Sequence, residues 1–413
     1  MTRIGRGIIA KMLGLDKSVR IARVEDNSAE GRWTIELAVR RPRRCVHCGS
    51  SRPWFHGQGK MREVRHGRLP HGAGVSVRFR ADRYRCSECR RTFTALPSCC
   101  RRWSRVSIAA LTEMLVQLRS RSFSQVSAEH GVHVRTLCKY FTDLVLLEVD
   151  WDRFRDGRPV RIVVDEHSFA GRRMVLTVVE RVRSLPIAIL PDDRKATLVA
   201  FLKTIPKDIA ARVDATATDM CSRFRAALRE VLGVEPAADR FHVVRDAQRR
   251  VDDVRLVEQT IMSELKGEPV VIGRRLLCKA PERLSAHGNK RLQEILNRHP
   301  RLALYYGYKE RIRRLYDAPD RSQAEKLIDG IIVNLQNEWG DPELHKWART
   351  LKNWRINILL YFDTKLTTAV VEGYHNVIKL HKRISFGFKT IDTYIKKIML
   401  ALVPYRFTPL HTY

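Results

Sequence analysis

Four cysteines stand as two tight pairs, Cys45 with Cys48 in "RRCVHCGS" and Cys86 with Cys89 in "RCSECRRT". A structural zinc ion takes four soft, deprotonated ligands in a tetrahedron, and two C-x-x-C knuckles supply that set. The neighbouring Arg44, Arg85, Arg90 and Arg91 favour the thiolate forms. Cys99 and Cys100 follow closely and compete as ligands. Elsewhere the chemistry is acidic. Asp165 lies in "VVDEHSF", Asp219 in "ATATDM" and Glu372 in "VVEGYHNVIKLHKR". Carboxylates from separate elements suit a hard divalent cation, magnesium or manganese, which keeps open positions for water and phosphate oxygens. Two such ions can activate an attacking oxygen and stabilise a leaving 3′ oxygen in phosphodiester displacement. The residues alone leave alternatives: Glu166 for the first position, and Asp192, Asp193, Asp214 or Asp239 for the second. An acid such as Glu372 in a first helical turn is also an ordinary partner of the helix dipole.

These residues need elements to position them. "RWTIELAV" and "GVSVRFRADRY" alternate as strands, so each cysteine pair is expected to cap a hairpin and the pairs to meet. Helical spacing begins at Ser104. Ser122 and Gln125 fit a capping box, with Phe123, Val126 and Ala128 inward, Gly131 at a tight turn and Val132 plugging it. A second helix from Val134 then offers Arg135, Thr136 and Lys139 outward, the outline of a helix-turn-helix.

Beyond "DWDRFRDGRP" the texture becomes α/β. "VRIVVDEHSF", "RMVLTVVERV" and "LPIAILP" read as a meander of strands, with the first ending in acids. Helix "KATLVAFLKTIP", strand "ARVDATATDM", helix "SRFRAALREVLG" and a short strand "ADRFHVV" follow. That order is expected of a ribonuclease-H-like fold. Its first and fourth strands are parallel neighbours, which brings Asp165 and Asp219 to one sheet edge. The stretch from Arg249 to about Leu360 reads as a charged helical insertion, with Trp339, Trp347 and Trp354 as core or base-stacking residues. "LTTAVVEGYHNVIKLHKR" and "TIDTYIKKIMLALV" read as helices that close the core. In the first of them, Thr367 or Thr368 caps the helix and Val370, Tyr374, Val377, Ile378 and His381 form the buried face. Glu372, Asn376, Lys379 and Arg383, with Lys382 beside them, form a face suited to a phosphate backbone.

The expected organisation is multidomain α+β. It comprises an N-terminal zinc-binding domain (1–98), a helix-turn-helix (99–155), a ribonuclease-H-like α/β catalytic core (156–250 and 361–413) and an all-helical insertion (251–360).

Composition points to the partner. The 413 residues carry 77 Lys+Arg against 45 Asp+Glu, a formal charge of +32, spread along the whole chain. Self-repulsion of that size calls for a polyanion, and nucleic acid is the default, with salt-sensitive affinity. Apolar runs such as "NILLYF" are too short to span a bilayer. The start, "MTRIGRGIIAKMLGL", has no clear apolar core or cleavage site. A cytosolic, nucleoid-associated protein is expected, and nine cysteines with two tight pairs then suggest metal rather than disulfides.

The stretches "VVDEHSF", "ATATDMCSRFRAAL", "DRFHVVR", "LALYYGYKERIRRLY" and "EGYHNVIKLHKRISFGF", in this order, resemble the bacterial DDE transposases of the ISL-three insertion-sequence family. So does the double C-x-x-C followed by a helix-turn-helix. The likeness runs from about residue 40 to 402. It implies catalytic, magnesium-holding acids at Asp165, Asp219 and Glu372, with Asp239, Phe241 and His242 in support. It further implies double-stranded DNA as partner, both terminal inverted repeats and target, and at least a homodimer in the DNA complex. Thr367-Thr368 departs from the Thr-Asn often found there in the family. Two rivals are a sequence-specific DNA-binding regulator with an inactive nuclease core and an RNA-processing metal nuclease.

Overall fold

Alternation of apolar and polar residues makes the N-terminal stretch a set of strands. The computed structural model describes residues 7, 9–11, 13–69, 72–145 and 148–403 and divides into two compact units. One comprises Met1–Leu147 with Leu380–Tyr413, and the other Glu148–Lys379. The N-terminal segment "MTRIGRGIIAKMLGL" and the end of the chain lie partly outside the described residues. Among the described residues no helix is long and apolar enough to cross a membrane.

The first unit contains β1 (Val19–Asn27), β2 (Arg32–Val39), β3 (Pro53–Gly57), β4 (Met61–Arg68), β5 (Gly74–Arg80), β6 (Arg83–Cys86) and β7 (Thr92–Thr94). Strands β1, β2, β5 and β4 make one sheet in that order, and β3, β6 and β7 a smaller one. In β5 the period of two buries Val75, Val77 and Phe79. Helices α1 (Ile108–Gln117), α2 (Phe123–His130) and α3 (Val134–Leu144) follow. The expected capping box forms: Ser122 Oγ accepts the Gln125 N–H at 3.1 Å, and Gln125 Oε1 accepts the Ser122 N–H at 3.0 Å. Gly131 ends α2 at φ 56°, the left-handed conformation that glycine adopts without strain. Val126, Val132, Leu137 and Phe141 pack with Leu111, Met114 and Leu115. Ala128, expected inside, is exposed, and its neighbour Ser127 is buried with its hydroxyl bonded to the Val132 carbonyl.

The segment "TIDTYIKKIMLALV" does not close the α/β core. Its helix, Ile391–Leu402, lies in the first unit, where Leu400 joins the core of α1–α3. Lys397 explains the docking. The residue is fully buried, and its Nζ donates to the carbonyls of Leu118 and Arg121, each at 2.6 Å. Carbonyls at and just beyond a helix end have no intrahelical partner, so the ammonium ties the C-cap of α1, Leu118, to the turn that follows it. Burial lowers its pKa to about 8, so it stays charged at neutral pH. Lys397→Met would strand two buried acceptors and is expected to cost about 2–4 kcal/mol in denaturant unfolding of this unit.

In the second unit β8 (Val160–Ala170), β9 (Arg173–Glu180), β10 (Leu185–Leu190), β11 (Val213–Thr218) and β12 (Ala237–Ala238) form a five-stranded sheet in the order β10-β9-β8-β11-β12. Pairs β8–β9 and β9–β10 are antiparallel and β11–β12 is parallel; β8 and β11 are parallel neighbours, as the strand order led us to expect. One face packs on α4 (Lys195–Leu202), α5 (Lys207–Ala210) and α6 (Ser222–Leu232). The rest is helical: α7 (Arg240–Lys266), α8 (Arg274–Cys278), α9 (Ala286–Arg298), α10 (Pro300–Leu315), α11 (Arg321–Asn337), α12 (Pro342–Thr364) and α13 (Ala369–Ile384), before the C-terminal α14 (Ile391–Leu402).

Two expectations are corrected in this unit. Strand β8 does not end in acids but continues to Ala170, because β9 pairs along it, with Asp165 opposite Thr177. "ADRFHVV" is a strand only at Ala237–Ala238. Asp239 then accepts the Phe241 and His242 N–H groups and starts a helix that runs through the expected 250/251 boundary. One apolar cluster spans Ala238 to Phe362, so the last strand and the helical segment share a core. Trp347 and Trp354 are core residues, the latter 4.5 Å under the Arg225 guanidinium, while Trp339 is 96% exposed.

Candidate active site and metal centre

The cysteine pairs meet as their spacing predicted. Cys45 Sγ lies 3.7 Å from Cys89 Sγ, Cys48 Sγ 3.7 Å from Cys86 Sγ, and all four ligand atoms lie within 4.8 Å of one another. With zinc–sulfur bonds of about 2.3 Å, a tetrahedron needs sulfurs about 3.8 Å apart. The cluster therefore fits zinc. Cys99 and Cys100 do not compete: they contact each other at 3.7 Å in the core of the four-stranded sheet.

The acids are brought together by register. Val163 of β8 pairs with Ala217 of β11, and Ala217 with Ala237 of β12. Two residues further along each strand direction come Asp165, Asp219 and Asp239, level with one another at the same sheet edge. Side chains alternate along a strand, so Asp165 shares the face of Val163, while Asp219 lies one residue past the end of β11. That face packs against Leu366 and Val371, the latter on α13, the helix of Glu372. Glu166 follows Ile162 and Val164 toward the opposite face, packed on α4–α6. Strand parity thus sends Asp165 and Glu166 to opposite faces, although burial and then the charge of Asp219 also raise the Glu166 carboxyl.

Other competitors are already engaged. Asp214 pairs with Arg161 at 2.9 Å at the far end of β11, and Asp193 with Arg223 at 2.9 Å. Asp192 Oδ1 accepts the Arg194 N–H at 3.0 Å. Asp239 is buried and works as a brace. Its Oδ1 accepts the Phe241 N–H at 2.8 Å and contacts His242, while Oδ2 accepts the Thr368 N–H at 2.7 Å. Those bonds raise the first turn of α7 and fix the residue before α13, four positions ahead of Glu372. Asp239→Ala would remove a helix cap and orphan the Thr368 N–H, an expected loss of about 2–4 kcal/mol in thermal or denaturant unfolding.

Electrostatics mark the same place. Burial pushes the Asp165 carboxyl up to about 7; the His242 charge opposes this, and Asp219 adds to it. Burial also raises Asp219, against His242 and the Thr218 hydroxyl. Burial alone would lower His242, but its bond to Asp239 and the charges of Asp165 and Asp219 lift it above its ordinary value. Crowded, partly desolvated carboxylates are what a cation would relieve.

Helix α13 carries Glu372 in its first turn, exposed. Thr367, as expected, contributes to its start, with Oγ1 accepting the Ala369 N–H at 3.4 Å. The exposed face holds Glu372, Asn376, Lys379 and Arg383 as predicted, with Lys382 half-buried. The buried face is displaced from the expected one: Val371, His375 and Ile378 are inside, and Val377 is 39% exposed. The helix lies across a sheet, and a narrower stripe than the apolar pattern suggested suffices to cover it. Oxygens of Asp165, Asp219 and Glu372 do not all lie within 4.8 Å of one another, a condition that only the four cysteines meet among the described residues. Arg135, Thr136 and Lys139 are exposed along α3. Sequence reasoning missed His375 and Thr177. His375 Nδ1 is 3.9 Å from Asp165 Oδ2 and its Nε2 is 3.2 Å from Thr177 Oγ1. A histidine at the helical spacing of core residues gave no signal of this contact.

Comparison with known proteins identifies the family. A family profile described as a transposase matches residues 162–398, which include Asp165, Asp219 and Glu372. The transposase for insertion sequence element IS1001 of Bordetella parapertussis is 27% identical over 282 residues, covering 66% of this chain and 67% of that protein. The transposase for insertion sequence element IS1557 of Mycobacterium tuberculosis is 25% identical over 446 residues, covering 96% and 95%. With more than half of its length matched to the family profile, the chain belongs to the ISL3 family of DDE transposases.

Proposed function

We propose that this transposase binds the terminal inverted repeats of its insertion sequence and performs DNA cleavage and strand transfer at Asp165, Asp219 and Glu372. The observation that carries the reading is the meeting of Asp165, on β8, and Asp219, just past the parallel β11, at one place on a sheet whose Val163 face packs on the helix that bears Glu372. The five-stranded order and the parallel β8–β11 pair support a ribonuclease-H-like core. Bound magnesium or manganese ions would supply the charge that stabilises the attacking and leaving oxygens of a phosphodiester. The chain's own groups hold and orient. Asp165 and Asp219 present oxygen ligands from rigid strands, and Glu372 presents a third from α13. His242, braced by Asp239, lies beside them, with its pKa raised against burial by the bond to Asp239 and by the charges of Asp165 and Asp219. Lys379 and Arg383, with Lys382, offer a basic stripe to the phosphate backbone that leads to Glu372.

Recognition is assigned to the first unit. Helices α2 and α3 act as a helix-turn-helix, with Arg135, Thr136 and Lys139 toward the groove and the phosphates. The four-cysteine zinc module steadies the sheet beside it. Joining two ends requires at least a dimer on DNA. The test is strand cleavage on a duplex carrying the element's own terminal repeat, with magnesium or with EDTA, comparing wild type with Glu372→Gln. Magnesium-dependent nicking, lost in a variant that still shifts the duplex, is the expected result. Specific shift without nicking by either protein would instead leave a DNA-binding regulator, and preference for RNA a metal nuclease.

A further inference from the structure

Behind Asp165 lies a buried polar cluster that the reading above leaves unused. His375 is on α13, three residues after Glu372. Its Nε2 lies 3.2 Å from Thr177 Oγ1, and that oxygen lies 3.0 Å from His167 Nδ1. The two imidazoles face each other with centroids 4.5 Å apart and planes tilted by 46°. His375, Thr177 and His167 are all buried. Around them the interface is apolar: Val163, Val179, Ala217, Leu366 and Val371. An apolar side chain would dock a helix there with less desolvation, so the polar cluster needs another reason. Its location supplies one. Thr177 is the cross-strand partner of Asp165, and His375 Nδ1 is 3.9 Å from Asp165 Oδ2.

We infer that His375 is a positioning residue that fixes α13 on the β8–β9 pair, so that Glu372 and Asp165 reach the same cation. The inference rests on the proposed metal site. Residues three apart on a helix are neighbours on its surface, about 4.5 Å along the axis, so anchoring His375 places Glu372. At 3.9 Å His375 is too far to hydrogen-bond Asp165; it acts through the Thr177 hydroxyl and the His167 ring. The Thr368 N–H bond to Asp239 holds the start of the same helix, so the segment with Glu372 is fixed on both sides.

The test uses zinc-loaded, full-length protein with repeat DNA and reads Mn2+ binding by electron paramagnetic resonance. His375→Leu keeps the volume and loses the bond to Thr177, whereas His375→Gln can still reach that hydroxyl. His375→Leu and Thr177→Val are expected to weaken Mn2+ binding roughly 10–100-fold, with DNA affinity unchanged and His375→Gln near wild type. Wild-type Mn2+ affinity in His375→Leu, or a Gln variant as weak as the Leu variant, would overturn the inference. Absence of Mn2+ binding by wild type would overturn it too. Nicking is read in parallel: wild type that binds Mn2+ but never nicks sinks the proposed chemistry, while the binding series still decides the role of His375.

Discussion

Asp165→Asn and Asp219→Asn are each expected to lower metal-dependent nicking of repeat DNA by about three orders of magnitude, with the gel shift retained. An amide keeps the size and removes the charge. Losing one anionic ligand forfeits several kcal/mol of transition-state stabilisation, and each 1.4 kcal/mol or so is a decade in rate. Asp214→Asn is the control, because that carboxylate is tied to Arg161 at the opposite end of β11 and should leave nicking near wild type. The same substitutions should not unfold the second unit. Burial, against the His242 charge and with Asp219, raises the Asp165 carboxyl to about 7, so its charge is already costly there, and an asparagine carries none to desolvate. Single-turnover cleavage and thermal melting of each variant check both halves. Full nicking by Asp219→Asn would remove it from the site and return the second position to its competitors.

Loss of the four-cysteine cluster is expected to be as severe, by a different route. Cys45→Ser or Cys86→Ser should abolish zinc binding, lower the melting temperature of the first unit by roughly 10 °C or more, and abolish the specific gel shift. Both cysteines are buried where β3, β6 and β7 pack around Tyr84 and Phe93, so little apolar core is present to hold that small sheet without metal. Cys99→Ser should leave zinc content unchanged, since that thiol belongs to a different core. Zinc measured by elemental analysis alongside the gel shift decides the matter. A Cys99 variant that loses zinc would place Cys99 among the ligands.

Much of this was readable along the chain because it depends on local pattern. Period-two alternation predicts β2 and β5, buried apolar runs between turn residues predict β8 to β11, and Ser122 with Gln125 predicts the reciprocal cap of α2. Paired cysteines advertise their chemistry because knuckle spacing is itself local. The failures share a cause. "ADRFHVV" looks like a strand by composition, yet the Asp239 carboxylate finds two N–H groups in the next turn and one from Thr368, and that bonding selects a helix. "TIDTYIKKIMLALV" is a helix as expected, but which core it joins is decided by Lys397 meeting the carbonyls at the end of α1. The buried face of α13 was misjudged because His375, polar in any scale, is paid for inside by Thr177.

Residue types and their order along the chain were thus enough to establish the charge that calls for a polyanion, the four-cysteine cluster that fits zinc and the strand order that makes β8 and β11 neighbours. They left several acids equal, because an aspartate at a strand end carries no mark of which face it occupies. The tertiary structure separated them through register and parity. Register brings Asp165 and Asp219 together, Asp165 takes the face of α13 and Glu166 the other, Asp214 is held by Arg161, and Asp239 bonds backbone N–H groups. The roles of Asp239 and His375 exist only between elements more than a hundred residues apart in the chain, and chain folding alone creates those contacts.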